Sequence, residues 1–390
     1  VCDCALPSSN ATLSLGIYSA QGEVPVPIRP DRVLELLESM VNIYSPTGKE
    51  LEVTSFVAAY LRKAGFAPEL LEVEKDRENL VVMPPGEEPS VCFTGHLDTV
   101  AAADYENYGF YTDGDDLFGL GTSDMKSGCA AMIEAFQAYY EDAGELPDAC
   151  LALVVGEEES GDGTEALLEE YEFSWAIVGE PTSLVPCFEH YGYIEAKLTT
   201  RGTRMHASQA SESVNAVHAM LSTLLRLTDY LQSEKSDVIF NIRDVLSARS
   251  GFVVPDYCEA WLDLHLLPQY PAGTMIYEVE EFIRALFPNE DIEDLLSFVT
   301  IRSGYALPEK GPFPEMLRSV YQASGRPWQT SRFQSDSDAI LLWDSGVRPV
   351  ILGPGTLEKA HREDESVDRA QVVEAARMYY ELLRTLSAGV

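Results

Sequence analysis

Cations are scarce in this sequence. Against 64 Asp and Glu there are 27 Lys and Arg, only 8 of them Lys, in 390 residues, and the net charge is −37. So acidic a chain has no basic surface with which to neutralise phosphates, which excludes nucleic acid as a partner. Long apolar runs are missing as well. No stretch approaches the ~20 apolar residues that span a bilayer, and the first 28 residues lack the basic start and apolar core of a secretory signal. No membrane partner and a cytoplasmic location are therefore expected. Cysteine is sparse and odd in number: seven, irregularly spaced, do not read as a disulfide framework, and Cys92, Cys129 and Cys150 lie in apolar runs that would bury them as thiols. Cys2 and Cys4 form a CxC pair with no second thiolate pair nearby, and Asn10 heads a glycosylation triplet without a secretory context; neither is assigned a role.

What is present is a folded chain. With 46% apolar residues the acidity is not that of a disordered tail, and the length suits two or three domains. Periodicity predicts helices over 31–41 and 51–64, then a buried strand over 90–94, a helix over 127–140, a strand over 150–155, a helix over 164–169 and a strand over 175–178. Strand, helix, strand at this spacing indicates an α/β unit with a largely parallel, buried sheet. From 191 the cadence changes to alternating strands over 193–199 and 257–266, with helices over 212–230 and 275–286, which reads as a small two-layer α+β domain. After 303 the α/β pattern returns, with helices over 315–323 and 337–343, a strand over 349–352 and a terminal helix over 368–387. The expected organisation is an N-terminal extension (1–28), a first catalytic segment (29–190), an inserted domain (191–303) and a second catalytic segment (304–390).

Polar clusters lie just beyond the apolar strands, where ligands gather in open α/β sheets. His96 and Asp98 share a face of an extended segment, so Asp98 can hold the ring nitrogen that a metal does not use. Asp124 follows a glycine-rich turn and offers two oxygens that could bridge two ions. Glu157, Glu158 and Glu159 follow the 150–155 strand; adjacent carboxylates repel unless cations or shared protons relieve them, although a solvated charge run is the plainer account of such a triplet alone. Glu180 follows the 175–178 strand and His361 the 349–352 strand. Nitrogen and oxygen donors without thiolate favour a catalytic zinc, cobalt or manganese site, and the chemistry implied is hydrolysis.

The motifs SPTGKE (45–50), GHLDTV (95–100), GLGTSDMKSG (119–128), EEESGDGT (157–164), GEPTS (179–183) and GPGTLEKAH (353–361) together closely resemble the M20 family of metallopeptidases and amidohydrolases, in particular the branch of acetylornithine deacetylase and succinyl-diaminopimelate desuccinylase. The resemblance implies a zinc-peptidase-like catalytic domain with an inserted lid and dimerisation domain, two divalent ions and a homodimer. It implies that His96 and Glu180 hold one ion, Glu159 and His361 the other, and Asp124 both, with Asp98 behind His96 and Glu158 as general base. His206 matches a histidine that donates to the substrate oxyanion, often from the partner subunit. Asn215 matches a position near the substrate, with helix capping as the rival account. Where the family commonly has a carboxylate-binding arginine this chain has His265, a weaker, pH-dependent cation, so Arg332 is a second candidate; Asp338 matches a segment that contacts a substrate amino group.

The expected function is hydrolysis of an N-acyl amino acid to an amine and a carboxylate. A dipeptidase or carboxypeptidase is the main competitor, and a nonenzymatic binding protein on the same fold the remote one. Independently of function, the excess of like charge should destabilise the folded state in dilute buffer. Thermal unfolding in low and in molar sodium chloride is expected to show a melting temperature that rises with salt; an unchanged value would refute the repulsion.

Overall fold

Four short apolar segments pair in parallel at the centre of the molecule: Cys150–Val154, Val91–His96, Trp175–Val178 and Arg348–Ile351. Their side chains are almost all buried on both faces, as a sheet covered by helices requires. The computed structural model describes residues 27–86, 88–102, 108–211, 215–247 and 251–388. Cys2, Cys4, Asn10 and nearly all of the 1–28 extension therefore lie outside the described residues, as do positions 212–214 of the helix expected over 212–230. That helix is described as Ala216–Glu234.

The parallel centre is flanked by strands that pair mostly antiparallel. Glu69–Glu74 and Arg77–Val82 form a hairpin that joins the Cys150–Val154 edge, and Cys187–His190, Tyr305–Ala306 and Ser331–Phe333 extend the Arg348–Ile351 edge. The sheet is thus parallel in the middle and mixed as a whole. Helix Lys126–Ala143 packs on the central strand Val91–His96 and against Arg369–Ser387 and Pro30–Val41. Pro30–Val41 opens with proline in its first turn and Asp31 beside the helix N-terminus, both favourable there, and buries Val33, Leu36, Leu37, Met40 and Val41 along one stripe. Close approach is tight where this layer meets the sheet: a Cβ on Gly128 would lie 2.2 Å from the carbonyl oxygen of Gly179. Any side chain at Gly128 would displace the turn that carries Glu180.

A second hydrophobic core is built from residues between Ile194 and Leu296, separate from the one that draws on Ile28 to Phe188 and Tyr305 to Leu383. It lies beneath an antiparallel sheet of order Ile239–Ser247, Tyr257–Leu266, Gly192–Arg201, Leu296–Arg302. Strand alternation decides the faces. Ile194, Ala196 and Leu198 point to helices Ala216–Glu234 and Ala272–Leu286, whereas Tyr193 and Glu195 point the other way, into a cavity shared with the central sheet. The described cysteines, Cys92, Cys129, Cys150, Cys187 and Cys258, are buried free thiols. No helix among the described residues is long and apolar enough to cross a membrane.

One buried ion network ties the loop after Cys150–Val154 to the hairpin. Arg77 donates to Glu50, which is fully buried, with Nη2 at 3.1 Å from Oε1, and to both oxygens of Asp162, at 2.5 and 3.0 Å. Gly156 passes beneath this network at φ +81°, and a Cβ there would sit 2.0 Å from Asp162 Oδ1. Arg77→Met leaves the Glu50 carboxylate buried without a partner and is expected to cost about 3–5 kcal/mol. Urea unfolding of Arg77→Met and of the double variant Arg77→Met/Glu50→Leu should show the second variant recovering much of the loss.

Candidate metal centre

The C-terminal ends of the four parallel strands converge on one point. His96 is the last residue of its strand, Glu180 follows Trp175–Val178, Glu157 and Glu158 follow Cys150–Val154, and His361 is carried by the loop after Arg348–Ile351. Asp124 arrives from the glycine-rich turn before Lys126–Ala143. His361 sits at φ 57°, a left-handed conformation uncommon for a residue with a side chain and characteristic of functional turns.

Around His96 Nε2 lie Asp124 Oδ1 at 3.4 Å, Glu180 Oε1 at 3.6 Å and Glu157 Oε2 at 3.7 Å. His361 Nε2 lies 3.4 Å from the other Asp124 oxygen and 3.0 Å from Glu158 Oε2. Asp124 therefore faces both imidazoles, one with each oxygen. Most of these separations are too long for good hydrogen bonds. They match the edge of a tetrahedron of N and O donors about 2.0–2.2 Å from a central ion, which is ~3.4 Å.

The bonding inventory supports the same fit. His96 Nε2, Glu158 Oε1 and Glu180 Oε1 are shut off from solvent and have no hydrogen-bond partner, a costly arrangement for polar atoms that a cation would relieve. His96 Nδ1 lies 3.0 Å from the main-chain oxygen of Asp98, which can only accept, so the neutral ring presents its Nε2 lone pair to the cluster. The charges are equally lopsided. Burial disfavours the imidazolium of His96, yet Glu157 and Glu180, with Asp124 and Asp98, outweigh it and hold the ring well above its ordinary pKa. Burial likewise opposes protonation of His361, and Asp124 and Glu158 drive it up to about 11. Desolvation pushes Glu157 and Glu180 well above the carboxylate range, with neighbouring carboxylates adding to it.

Two carboxylates with no donor role toward the centre hold it in shape. Asp98 accepts from Thr47 Oγ1 at 2.8 Å and from the backbone N–H groups of Glu157 and Glu158 at 3.3 and 3.1 Å, so it fixes the Glu157 loop as well as His96. Glu365 accepts from the N–H groups of Gly121, Ser123 and Asp124 at 2.8–3.0 Å and thereby shapes the Asp124 turn. Burial raises its carboxyl to about 7, against the pull of those N–H groups. Nothing in the spacing of the sequence marks Glu365.

Residues 92–385 match the peptidase family M20/M25/M40. The chain belongs to this family. Acetylornithine deacetylase of Vibrio parahaemolyticus is 26% identical over 85% of this chain and 92% of its own length. Succinyl-diaminopimelate desuccinylase of Psychromonas ingrahamii is 26% identical over 90% and 99%. The crystal structure of a tripeptidase from Staphylococcus aureus superposes with a TM-score of 0.77 at 19% identity, covering 93% of this chain and all of that one. The α/β fold with a parallel sheet centre and a second, two-layer α+β unit is that of the M20 hydrolases, as the motifs implied.

Not every residue expected from the M20 motifs reaches the centre. The acidic triplet is offset by one position: Glu157 and Glu158 face the cluster, while Glu159 is exposed and stands outside both groups of candidate ligands, His96–Asp124–Glu158 and His96–Glu157–Glu180. Gly156 turns the chain so that the first two carboxylates point inward. His206 is exposed, its ring pairs with Ser208, and it does not line the cavity. Asn215 caps Ala216–Glu234, accepting from the N–H groups of Val217 and His218 at 3.0 and 3.2 Å, so the capping account describes what the side chain does here. Arg332 is half exposed, paired with Glu189 at 2.5 Å, and absent from the cavity wall.

His265 and Asp338 do line the cavity, which measures about 520 Å³ and opens onto Glu157, Glu158 and His361. Burial lowers the His265 pKa against the pull of Asp263, so at neutral pH it is not the cation expected of it. Asp338 accepts from Thr164 Oγ1 at 2.7 Å, and burial raises it to about 7. His190, in strand Cys187–His190, is buried beside the cavity wall. Its Nδ1 lies 2.6 Å from the Tyr191 carbonyl and must donate, leaving Nε2 to accept from Ser337 in the cavity wall.

The imidazoles supply a check on the centre. Their protons and a divalent ion compete for the same carboxylates, so addition of zinc at pH 7 is expected to release protons, and affinity should fall as the pH drops. Proton release measured in weak buffer should fall in His96→Ala and further in His96→Ala/His361→Ala; zinc uptake by the unaltered protein without proton release would contradict the charge balance described.

Proposed function

We propose that this chain is a two-ion amidohydrolase that cleaves the amide bond of an N-acyl amino acid, in the manner of the deacetylase and desuccinylase it resembles. The observation that carries the reading is the set of buried, unpartnered donor atoms, His96 Nε2, Glu158 Oε1 and Glu180 Oε1, in a cluster whose Glu157, Glu158 and His361 line a polar cavity. One ion would be held by His96, Asp124 and Glu180, the other by Asp124, Glu158 and His361. Zinc suits this nitrogen and oxygen set, and cobalt or manganese can occupy the same donors. Divalent ions in such a set lower the pKa of water and polarise a carbonyl.

The chain's own residues supply the proton transfer. Glu157 borders the cavity beside His96, and its raised affinity for protons suits it to take one from water and return it to the leaving amine. This gives Glu157 the base role that the motifs suggested for Glu158, and Glu158 the ligand role suggested for Glu159. Asp98 keeps His96 in the ligating tautomer. His206, exposed and outside the lining of the cavity in its own chain, is assigned to hydrogen bonding with the substrate carbonyl oxygen in a second copy's site. Exposed Leu221, Leu225, Ile239, Val245 and Leu246 on the inserted domain, 191–303, support a homodimer through that domain.

Amine release from N-acetyl-ornithine, N-succinyl-diaminopimelate, other N-acyl amino acids and dipeptides, with saturating zinc or cobalt, tests the reading. Cleavage of dipeptides alone would move the protein to the peptidases, and silence despite two bound ions would favour a nonenzymatic binder. Within an active enzyme, Glu157→Gln is expected to retain both ions by elemental analysis and lose about 10²–10⁴ in kcat. Glu158→Ala should lose metal, and Glu159→Ala should stay close to the unaltered protein. Full activity of Glu157→Gln would refute its role as base.

A further inference from the structure

A single side chain lies beneath three of the ligands. Met125, fully buried, follows Asp124 directly and precedes helix Lys126–Ala143. Its thioether reaches both the strand that delivers His96 and the turn that delivers Glu180. The methyl carbon fills the space in which side chains just before those two ligands would begin: a Cβ on Gly95 would lie 2.3 Å from Met125 Cε, and one on Gly179 2.7 Å. Gly128 closes the slot from the helix, where a Cβ would lie 3.1 Å from the same carbon. Three glycines thus leave room for one unbranched side chain, and methionine, flexible and without branches, suits so narrow a space.

The contact is polar as well as steric. The main-chain N–H of His96 donates to Met125 Sδ at 3.4 Å, and the thiol of Cys129, one turn further along, donates to the His96 carbonyl at 3.1 Å. A buried N–H needs an acceptor, and here sulfur, a weak one, supplies it. Met125 therefore bonds the backbone of His96, is joined to Asp124 and abuts the turn before Glu180. In these same three residues Asp124 Oδ1 and Glu180 Oε1 stand 3.4 and 3.6 Å from His96 Nε2. The two carboxylates repel each other, and the thioether below is placed to hold a spacing that repulsion would otherwise widen.

We propose that Met125 is a positioning residue of the metal centre: its thioether fixes the backbones that carry His96, Asp124 and Glu180 at one separation, and so sets the affinity and coordination geometry of the ion they hold. The inference rests on the two-ion reading for its metal but not on amide cleavage. Met125 offers this ion no ligand; it acts through the His96 N–H and through the two glycines against which it packs.

Cobalt(II), whose visible absorption reports the geometry of its ligands, tests this in the full chain. Met125→Leu keeps the apolar volume but branches the side chain and removes the acceptor. It is expected to weaken the binding of one cobalt ion about 10–100-fold and to shift that ion's absorption, with the other ion less affected. The affected ion should be the one that His361→Ala retains. Gly179→Ala, which displaces Met125 without altering it, should reproduce both changes, and it serves alone if Met125→Leu fails to fold. Matching melting curves verify that the variants compared are folded. Folded variants that bind both ions with unaltered affinity and absorption would overturn the role and leave Met125 as core packing. Weakened cobalt binding in a protein that cleaves no amide supports the positioning role and refutes only the hydrolase reading; no cobalt uptake by the unaltered protein overturns both.

Discussion

Mutual repulsion among carboxylates held out of water governs the centre of this molecule. Asp98, Asp124, Glu157, Glu158 and Glu180 are brought to the ends of four parallel strands with two imidazoles as the nearby titratable bases, and each carboxylate pays a desolvation cost. Such a cluster persists only when positive charge enters it. Protons on His96 and His361 supply part of that charge, and a divalent cation satisfies more of the donor atoms at once. The spacing of about 3.4–3.7 Å around His96 Nε2 is the geometric counterpart of the same demand.

Much of the surrounding structure resists that repulsion. Asp98 grips the backbone of the Glu157 loop, Glu365 grips the backbone of the Asp124 turn, and Arg77 clamps Glu50 and Asp162 on either side of Gly156. Two of these three holders are themselves acidic. They act by accepting N–H hydrogen bonds, which ties negative groups to the loops without placing a competing cation beside the centre. Rigid support of this kind is what keeps donor atoms in place when their mutual interaction favours separation.

The parallel centre of the fold was plain in the sequence because Cys150–Val154 and Trp175–Val178 are apolar and bounded by turns, and the second sheet because Tyr257–Leu266 alternates. The flanking strands were not. Glu69–Glu74 is an exposed, charged edge segment and Ile239–Ser247 is largely exposed, so neither carries the pattern that burial imposes. At the site, His96, Asp124, Glu180 and His361 were found from their place after strands and the family motifs. The one-residue offset of the acidic triplet was hidden because three consecutive glutamates look alike until the left-handed turn at Gly156 decides which two face inward. Glu365 was missed for a different reason: it acts across the fold, on a turn distant in the chain.

The slot between Gly95 and Gly179 has an implication for how such a centre can diverge. Segments distant in the chain share one buried neighbour, so a side chain gained at either glycine must be answered by a smaller one at Met125. Positions outside the donor set are thereby bound to vary together, and the centre inherits its dimensions from that correlation.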